Sequence, residues 1–330
     1  MKIAIVVISS SGFKLAKNIL KKLKNDPTIF EIDIYQKNVK KTLKNIFNEY
    51  NIIIGIMATG IMVRNSCSLI NNKYTDPGIL IVDDRGKYVI SLLSGHLGSA
   101  NYFALKISKI IKAKPVITTS TDVHGKIGID EMARWFFLEI KNFKKIKTIN
   151  SAIVENKTVK LIVPPQFSFL NKYPIIKKSY SISKNNENNL IIASFKSESL
   201  ELKPKKLVVG VGSRKNVSTS QFSLAIKKAL NYLNLPIERI DLISTAEMKK
   251  NEEAIINFST DYNIPLDIIS LNTLKDFESD EYEDSKFVKE IFGVGGVCQP
   301  CALISAGQNS RLILKKIAYN GVTVAVAISM

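Results

Sequence analysis

Apolar and polar positions follow each other along the chain in a recurring order. Residues 2–8 form a largely apolar run rich in β-branched side chains. Ser9, Ser10, Ser11 and Gly12 break it, and Phe13, Ala16, Ile19, Leu20 and Leu23 then recur at helical spacing. That order predicts a buried strand, a turn and an amphipathic helix. It returns as a strand over 30–35, a helix over 39–50 and a strand over 51–57 that ends in the turn Ala58, Thr59, Gly60. Strands over 79–82, 88–92 and 115–118 and a helix over 101–111 follow. Such alternation implies a parallel sheet with helices on both faces.

Between 141 and 205 the rhythm weakens, because Pro164, Pro165, Pro174 and the polar stretch 183–189 interrupt short β-rich runs. It restarts at Lys206 with an apolar strand ending in Gly210, Val211 and Gly212, then a helix over 220–233. Residues 322–328 are apolar on both faces, as in a central strand. The fold class is therefore α/β: two open, mostly parallel-sheet α/β domains, 1–140 and 206–330, joined by a smaller middle region or linker, 141–205.

Length agrees, since 330 residues make two domains or three. The longest apolar stretch, 52–63, is closed by Asn51 and Arg64 and falls short of the roughly 20 residues that span a bilayer. The run 3–8 is too short for a signal-peptide core and lacks a cleavage site, so no membrane partner and a cytoplasmic location are expected. Three cysteines, Cys67, Cys298 and Cys301, cannot staple a chain of this size, which fits a reducing compartment.

Lys and Arg number 47 against 29 Asp and Glu, a net charge of +18. An excess of this kind points to a polyanionic partner or to compositional drift. It is almost all lysine, and the stretches 40–44 and 141–147 read as solvated helix faces. Arginine clusters interleaved with aromatics, expected of a nucleic-acid binder, are missing, so no nucleic-acid partner is expected.

The densest candidate chemistry is the string 91–101, which contains Ser94, Gly95, His96, Leu97, Gly98, Ser99 and Asn101 between a strand and a helix. Ligands of open α/β sheets bind at such strand ends, and glycine lets backbone approach them closely. His96 is one of only two histidines; capping the turn and serving a ligand are both open to it. Arg64 and Lys73 supply nearby cations, while Asp83, Asp84, Arg85 and Gly86 read as an ordinary hairpin turn. Thr118, Thr119, Ser120, Thr121 and Asp122 make an unusually polar strand end, suited to ligand binding or to helix capping. Asp130 and Glu131 read as acids at a helix start.

In the second half, Gly210, Gly212, Ser213 and Arg214 could cradle an anion, but Lys215 stands where the third glycine of a dinucleotide loop belongs. Lys250, Glu252 and Glu253 read as a surface helix group. Cys298 and Cys301 have C-x-x-C spacing without a second ligand pair for zinc; a redox pair stays open, with Pro300 suiting a helix start that would lower a thiol pKa.

The string 57–64, Asp76-Pro77-Gly78, the 90–101 loop and 116–122 resemble the N-terminal region of the cobalt-precorrin-5A hydrolase family (CbiG) of anaerobic cobalamin biosynthesis. The C-terminal part resembles that family's last domain: Gly210 to Arg214, Lys250 with Glu252, Ser285-Lys286-Phe287-Val288 with Gly293, residues 297–303 and residues 321–327. The chain departs from the family pattern at Ser99, Gln299 and Cys301, and Gln299 argues against an essential carboxylate there.

The resemblance implies that water opens a δ-lactone of the substrate and that acetaldehyde leaves, giving cobalt-precorrin-5B. It implies no cofactor, because the cobalt is carried by the polycarboxylate tetrapyrrole substrate. On this reading His96 is a base or proton shuttle, the loop amides at Gly95, Gly98 and Ser99 and the hydroxyls of Thr118 and Thr119 are oxyanion donors, and Arg64, Lys73 and Arg214 anchor substrate carboxylates. Asn101, Asp122, Gly210, Gly212, Ser213, Lys250 and Glu252 complete the substrate-binding set, with the substrate expected between the domains. The alternative is a non-catalytic corrinoid carrier of the same pathway. Neighbouring pathway enzymes and further copies of the chain are open as partners.

Overall fold

The protein is described here by a computed structural model covering residues 1–184, 189–282 and 294–330. It divides into two compact units, the first made of Met1–Arg134, Lys144–Val159 and Pro174–Ser181, the second of Trp135–Phe143, Lys160–Tyr173 and Ile182–Met330. The middle stretch 141–205 is thus shared between them.

Unit 1 begins with β1 (Lys2–Val7), α1 (Ser10–Leu23), β2 (Glu31–Gln36), α2 (Val39–Ile46), β3 (Ile52–Ile56) and α3 (Thr59–Ser66). Ser9 caps α1, its hydroxyl accepting from the Gly12 amide at 2.9 Å. Helix α2 is shorter than its apolar spacing predicts, because the Glu49 amide turns back to the Ile46 carbonyl and tightens the chain before β3. Strands β4 (Gly78–Val82) and β5 (Tyr88–Leu93), α4 (Ala100–Ile111) and β6 (Lys114–Val116) complete the sheet, in the order β2-β1-β3-β4-β5-β6. Alternate side chains divide the core. Ile3, Ile5 and Val7 pack with Ala16, Ile19 and Phe103 of α1 and α4, while Ala4 and Val6 pack with Leu43 of α2 and Met62 of α3. Each such fully buried Ile, Val, Leu, Met or Phe side chain stabilises the unit by about 1.5–3 kcal/mol.

One reversal decides where the site lies. β1 to β4 are parallel, but the Asp83–Gly86 turn makes β5 antiparallel to β4, and β6 is parallel to β5. The carboxyl ends of β5 and β6 therefore share a sheet edge with the amino end of β4. The loop after β5 is pressed against that end so closely that a Cβ on Gly78 would collide with the Gly98 carbonyl oxygen. Unit 1 is completed by α5 (Ser120–Val123), α6 (Ile129–Trp135), α7 (Ile146–Val154) and α8 (Pro174–Ser179).

Unit 2 holds two sheets. One is β7-β11-β10-β8-β9, from β7 (Leu138–Ile140), β8 (Lys160–Val163), β9 (Ser181–Lys184), β10 (Ile191–Phe195) and β11 (Glu198–Pro204). Its β7–β11, β11–β10 and β10–β8 pairings are antiparallel. The other is β14-β13-β12-β16-β15, from β12 (Leu207–Ser213), β13 (Leu242–Ala246), β14 (Leu266–Ile269), β15 (Arg311–Tyr319) and β16 (Val322–Ile328), with α9 (Thr219–Leu233), α10 (Glu253–Asp261), α11 (Leu271–Lys275) and α12 (Cys298–Ala306). β12, β13 and β14 are parallel, and β16 is central, as its two apolar faces predict, but antiparallel to both neighbours.

The buried Arg239 joins the two sheets. It donates to the Phe136 carbonyl at 2.8 Å, the Lys205 carbonyl at 2.6 Å and Asp241 Oδ2 at 2.7 Å, so every side of the guanidinium is met by an acceptor. A Cβ on Gly210 would collide with the Cys298 carbonyl oxygen, which explains why β12 carries glycine where α12 crosses it. Cys298 and Cys301 are buried free thiols. Burial pushes Cys298 up to about 11 and raises Cys301 further, opposite to the lowering that a helix start would give. The Ser285–Val288 motif and Gly293 lie outside the described residues. Among the described residues no helix is long and apolar enough to cross a membrane.

Candidate active site

The loops after β5 and β6 meet because those strands are parallel neighbours, and what they carry is the candidate site. Between Ser94 and Ser99 the chain turns on two left-handed residues, Ser94 (φ 53°) and Ser99 (φ 68°), both buried. The Ser99 amide donates to the His96 carbonyl at 2.9 Å, so it is spent inside the loop rather than offered to a ligand. This tight turn leads into α4 and projects His96 from the sheet edge.

The His96 ring, with its side chain 12% exposed, is held on both nitrogens. Nδ1 lies 3.2 Å from Asp130 Oδ2, and Nε2 lies 3.0 Å from Asp122 Oδ2 and 3.2 Å from Thr121 Oγ1. A third carboxyl, Glu131, approaches Nε2 to 4.0 Å. Burial works against charging this ring, but the hydrogen bonds to Asp122 and Asp130 and the charges of Asp130 and Glu131 prevail and lift it to about 10. These surroundings favour the imidazolium, in which both nitrogens donate.

The carboxyls differ among themselves. Burial raises Asp122 and Asp130, yet bonds from His96, with Thr119 for one and Asn150 for the other, outweigh it and hold both below the ordinary carboxylate range. Asp122 Oδ2 also accepts from Thr119 Oγ1 at 2.6 Å and Asn101 Nδ2 at 3.1 Å. Asp130 Oδ1 accepts from Asn150 Nδ2 at 2.8 Å, while Asn150 Oδ1 receives the Ile129 amide at 2.8 Å, which fastens α7 to the start of α6. Glu131, only 8% exposed, has no such donor among the described residues and is raised, first by burial and then by Asp122.

A cavity of about 490 Å³ opens over this network, lined among others by Lys73, Ser94, His96, Thr119, Lys147 and Asn150. That size suits part of a large ligand or the whole of a small one. The sheet edge brings together His96, Gly95, Asn101, Thr119, Asp122 and Lys73 from the expected set. Ser99 is buried at the start of α4 and Gly98 is packed on Gly78. Thr118 is exposed and does not line the cavity. Arg64 belongs to α3 at the opposite sheet edge, where Nη1 bonds the Gly60 carbonyl at 3.2 Å. Gly210, Gly212, Ser213 and Arg214 in unit 2 end or follow β12, and Lys250 and Glu252 follow β13, Glu252 pairing with Lys249 at 3.0 Å.

Sequence reading missed the roles of Asp130, Glu131, Asn150 and Lys147. Two adjacent acids inside an otherwise apolar turn, with Ile127, Ile129, Met132 and Ala133 around them, were the available signal; Asn150 and Lys147 gave none. His96, Asp122 and Glu131 have ligand atoms within 4.8 Å of one another, a spacing open to a cation.

Residues 41–122 match the family described as cobalamin synthesis G N-terminal, and 207–327 match cobalamin synthesis G C-terminus. A Methanocaldococcus jannaschii protein named "Probable cobalt-precorrin-5A hydrolase" is 35% identical over 338 residues, covering 99% of each chain. The cobalt-precorrin-5A hydrolase of Priestia megaterium is 25% identical over 98% of this chain and 94% of its own. Among solved structures, a cobalamin biosynthesis protein G homologue from Sulfolobus solfataricus superposes with a TM-score of 0.60 at 27% identity, covering 100% of this chain and 97% of the other.

Proposed function

Because the chain belongs to the cobalamin synthesis G (CbiG) family, we propose that it is a cobalt-precorrin-5A hydrolase. Water opens the δ-lactone of the substrate, and the extruded ring carbon departs with its methyl group as acetaldehyde when its bond to the macrocycle breaks, leaving cobalt-precorrin-5B. The observation that carries the reading is the family's Gly-His-Leu-Gly loop, which sets a charged His96 into a cavity between fixed carboxylates. Cobalt enters with the substrate, and the protein supplies no cofactor. The free cysteines suit a reducing cytoplasm.

The chemistry requires stabilisation of an oxyanion and a proton for the macrocycle carbon that inherits the electron pair. An imidazolium held on Nδ1 by Asp130 meets both needs through Nε2 when the substrate replaces Asp122 as the acceptor of its proton, first as donor to the acyl oxygen and then as acid. Thr119 is a positioning residue, because its hydroxyl is committed to Asp122. The macrocycle is larger than the cavity, so it inserts its lactone edge and leaves acetate and propionate groups within reach of Lys73 and Lys147 on the rim.

The test is anaerobic incubation with cobalt-precorrin-5A, trapping aldehyde and following the macrocycle mass. Loss of a two-carbon fragment is expected. Tight binding without loss would make the protein a carrier, and no binding would overturn the proposal. His96→Ala with near wild-type aldehyde release would remove His96 from the chemistry.

A further inference from the structure

Three carboxyls surround one imidazole, and their hydrogen bonds divide the work among them. Asp122 Oδ2 accepts from Thr119, Asn101 and His96, and Asp130 from Asn150 and His96. Protonating either acid would break bonds already made, so both are fixed anions that orient the ring. Among the described residues no hydrogen-bond donor reaches Glu131, although it is nine-tenths buried and its Oε2 faces Nε2 at 4.0 Å. A carboxyl so placed loses nothing by taking up a proton, and a small side-chain rotation brings it into bonding range of the ring. Acid and base roles separate where neighbouring groups are pushed apart in this way.

We propose that Glu131 is the proton relay behind His96. This rests on the hydrolase reading. After Nε2 has given its proton to the macrocycle carbon, the Glu131 carboxyl returns one to Nε2. That proton reached Glu131 in the preceding step: as the oxygen of water bonds to the acyl carbon, Nε2 hands its proton to the resting Glu131 carboxylate and takes the one that water sheds. The acyl–oxygen bond breaks, the freed alkoxide becomes the aldehyde as the carbon–carbon bond breaks, and the electron pair stays on the macrocycle carbon. Water thus supplies the one proton that this carbon takes, and the centre ends each cycle as it began. Glu131 acts through His96 and is a positioning and relay residue, since it does not line the cavity.

The charged and titratable groups around this pair come from several elements. Asp122 belongs to α5, Asp130 and Arg134 to α6, Tyr102 to α4, Lys147 to α7, Lys73 to the segment before β4 and Tyr180 to the residue after α8. Arg134 lies over the Tyr102 ring at 5.5 Å and acts on Glu131 only through its charge. None of these groups donates a hydrogen bond to Glu131.

Glu131→Gln keeps size and removes the carboxylate that takes up and returns the proton. Turnover is expected to fall roughly 10²-fold with KM within about twofold, the pH–rate profile is expected to change shape, and Glu131→Asp should recover part of the rate. Histidine side-chain ¹⁵N spectra, simplified by there being only two histidines, should show His96 losing its proton at lower pH in Glu131→Gln, because a neighbouring negative charge has gone. A Glu131→Gln variant with wild-type kcat and an unchanged profile would overturn the relay. A wild-type protein that binds substrate and releases no aldehyde would instead overturn the hydrolase reading, so the two failures are distinguishable.

Discussion

Replacing Asp130 by asparagine tests the electrostatics of the site most directly, because it changes no heavy-atom count and leaves the Asn150 contact possible. If the introduced side chain offers its oxygen to Asn150 Nδ2, its own amide faces His96 Nδ1, and two donors meet at 3.2 Å. The ring can relieve this only by giving up its Nδ1 proton. In the wild type the rise from an ordinary 6.5 to about 10 corresponds to roughly 5 kcal/mol favouring the imidazolium, at about 1.4 kcal/mol for each pH unit. Asp122, Asp130 and Glu131 share that coupling, so losing Asp130 should withdraw about a third or more of it, lowering the His96 midpoint by roughly one to two pH units.

The sign for stability follows. A histidine whose folded-state pKa is raised stabilises the fold fully below its unfolded value near 6.5 and loses that contribution as pH climbs towards 10. Unit 1 of the wild type should therefore weaken progressively across that window, and Asp130→Asn should be less stable than wild type at pH 6 and converge on it near pH 10. Histidine ¹⁵N titration and denaturant unfolding at several pH values measure both effects. Equal midpoints in the two proteins, or a stability gap that widens with pH, would refute the argument.

Three further outcomes are expected. Lys73→Glu and Lys147→Glu should each raise KM about tenfold while leaving kcat within about twofold, with the effect shrinking at high salt, because screened rim charges steer a polycarboxylate rather than react with it; a fall in kcat alone would contradict this. Thr118→Val should be silent in a turnover assay, whereas Thr119→Val should slow it by freeing Asp122, at a cost of about 1 kcal/mol for the lost bond; equal effects would contradict the assigned positions. Treatment with EDTA followed by desalting should leave aldehyde release unchanged, and loss restored by an added divalent ion would show that the protein needs a metal of its own.

How far the sequence reveals this molecule depends on whether a signal is local. Strands such as 52–56 and 78–82 are buried on both faces and announce themselves as unbroken apolar runs. His96, Asn101, Thr119 and Asp122 sit one turn beyond a strand end, where polar residues stand out against the apolar rhythm. Asp130 and Glu131 do not, because a helix start explains acids on local grounds and only tertiary packing buries them against a histidine. Arg64 shows a related limit: it neighbours the site motifs in sequence, but the β4–β5 reversal places the turn before α3 at the other edge of the sheet. The charge of His96 is hidden in the same way, because carboxylates arriving from two different segments set it.

The interleaved path of the chain has a consequence during synthesis on the ribosome. The residues that give unit 1 its sheet are finished by Val116, yet Asn150, which fastens Asp130, lies beyond the segment 135–143 that belongs to unit 2. That segment in turn waits for Arg239, about a hundred residues later, before the Phe136 carbonyl receives its side-chain donor. A nascent chain thus owns its sheet long before it owns its histidine network, and neither unit can be released from the other by one cut. Gene fragments ending near 140 or 205 should yield polypeptides that need the remainder supplied in trans, whereas two co-expressed fragments meeting at an exposed turn beyond 241 have every segment of unit 1 in one piece.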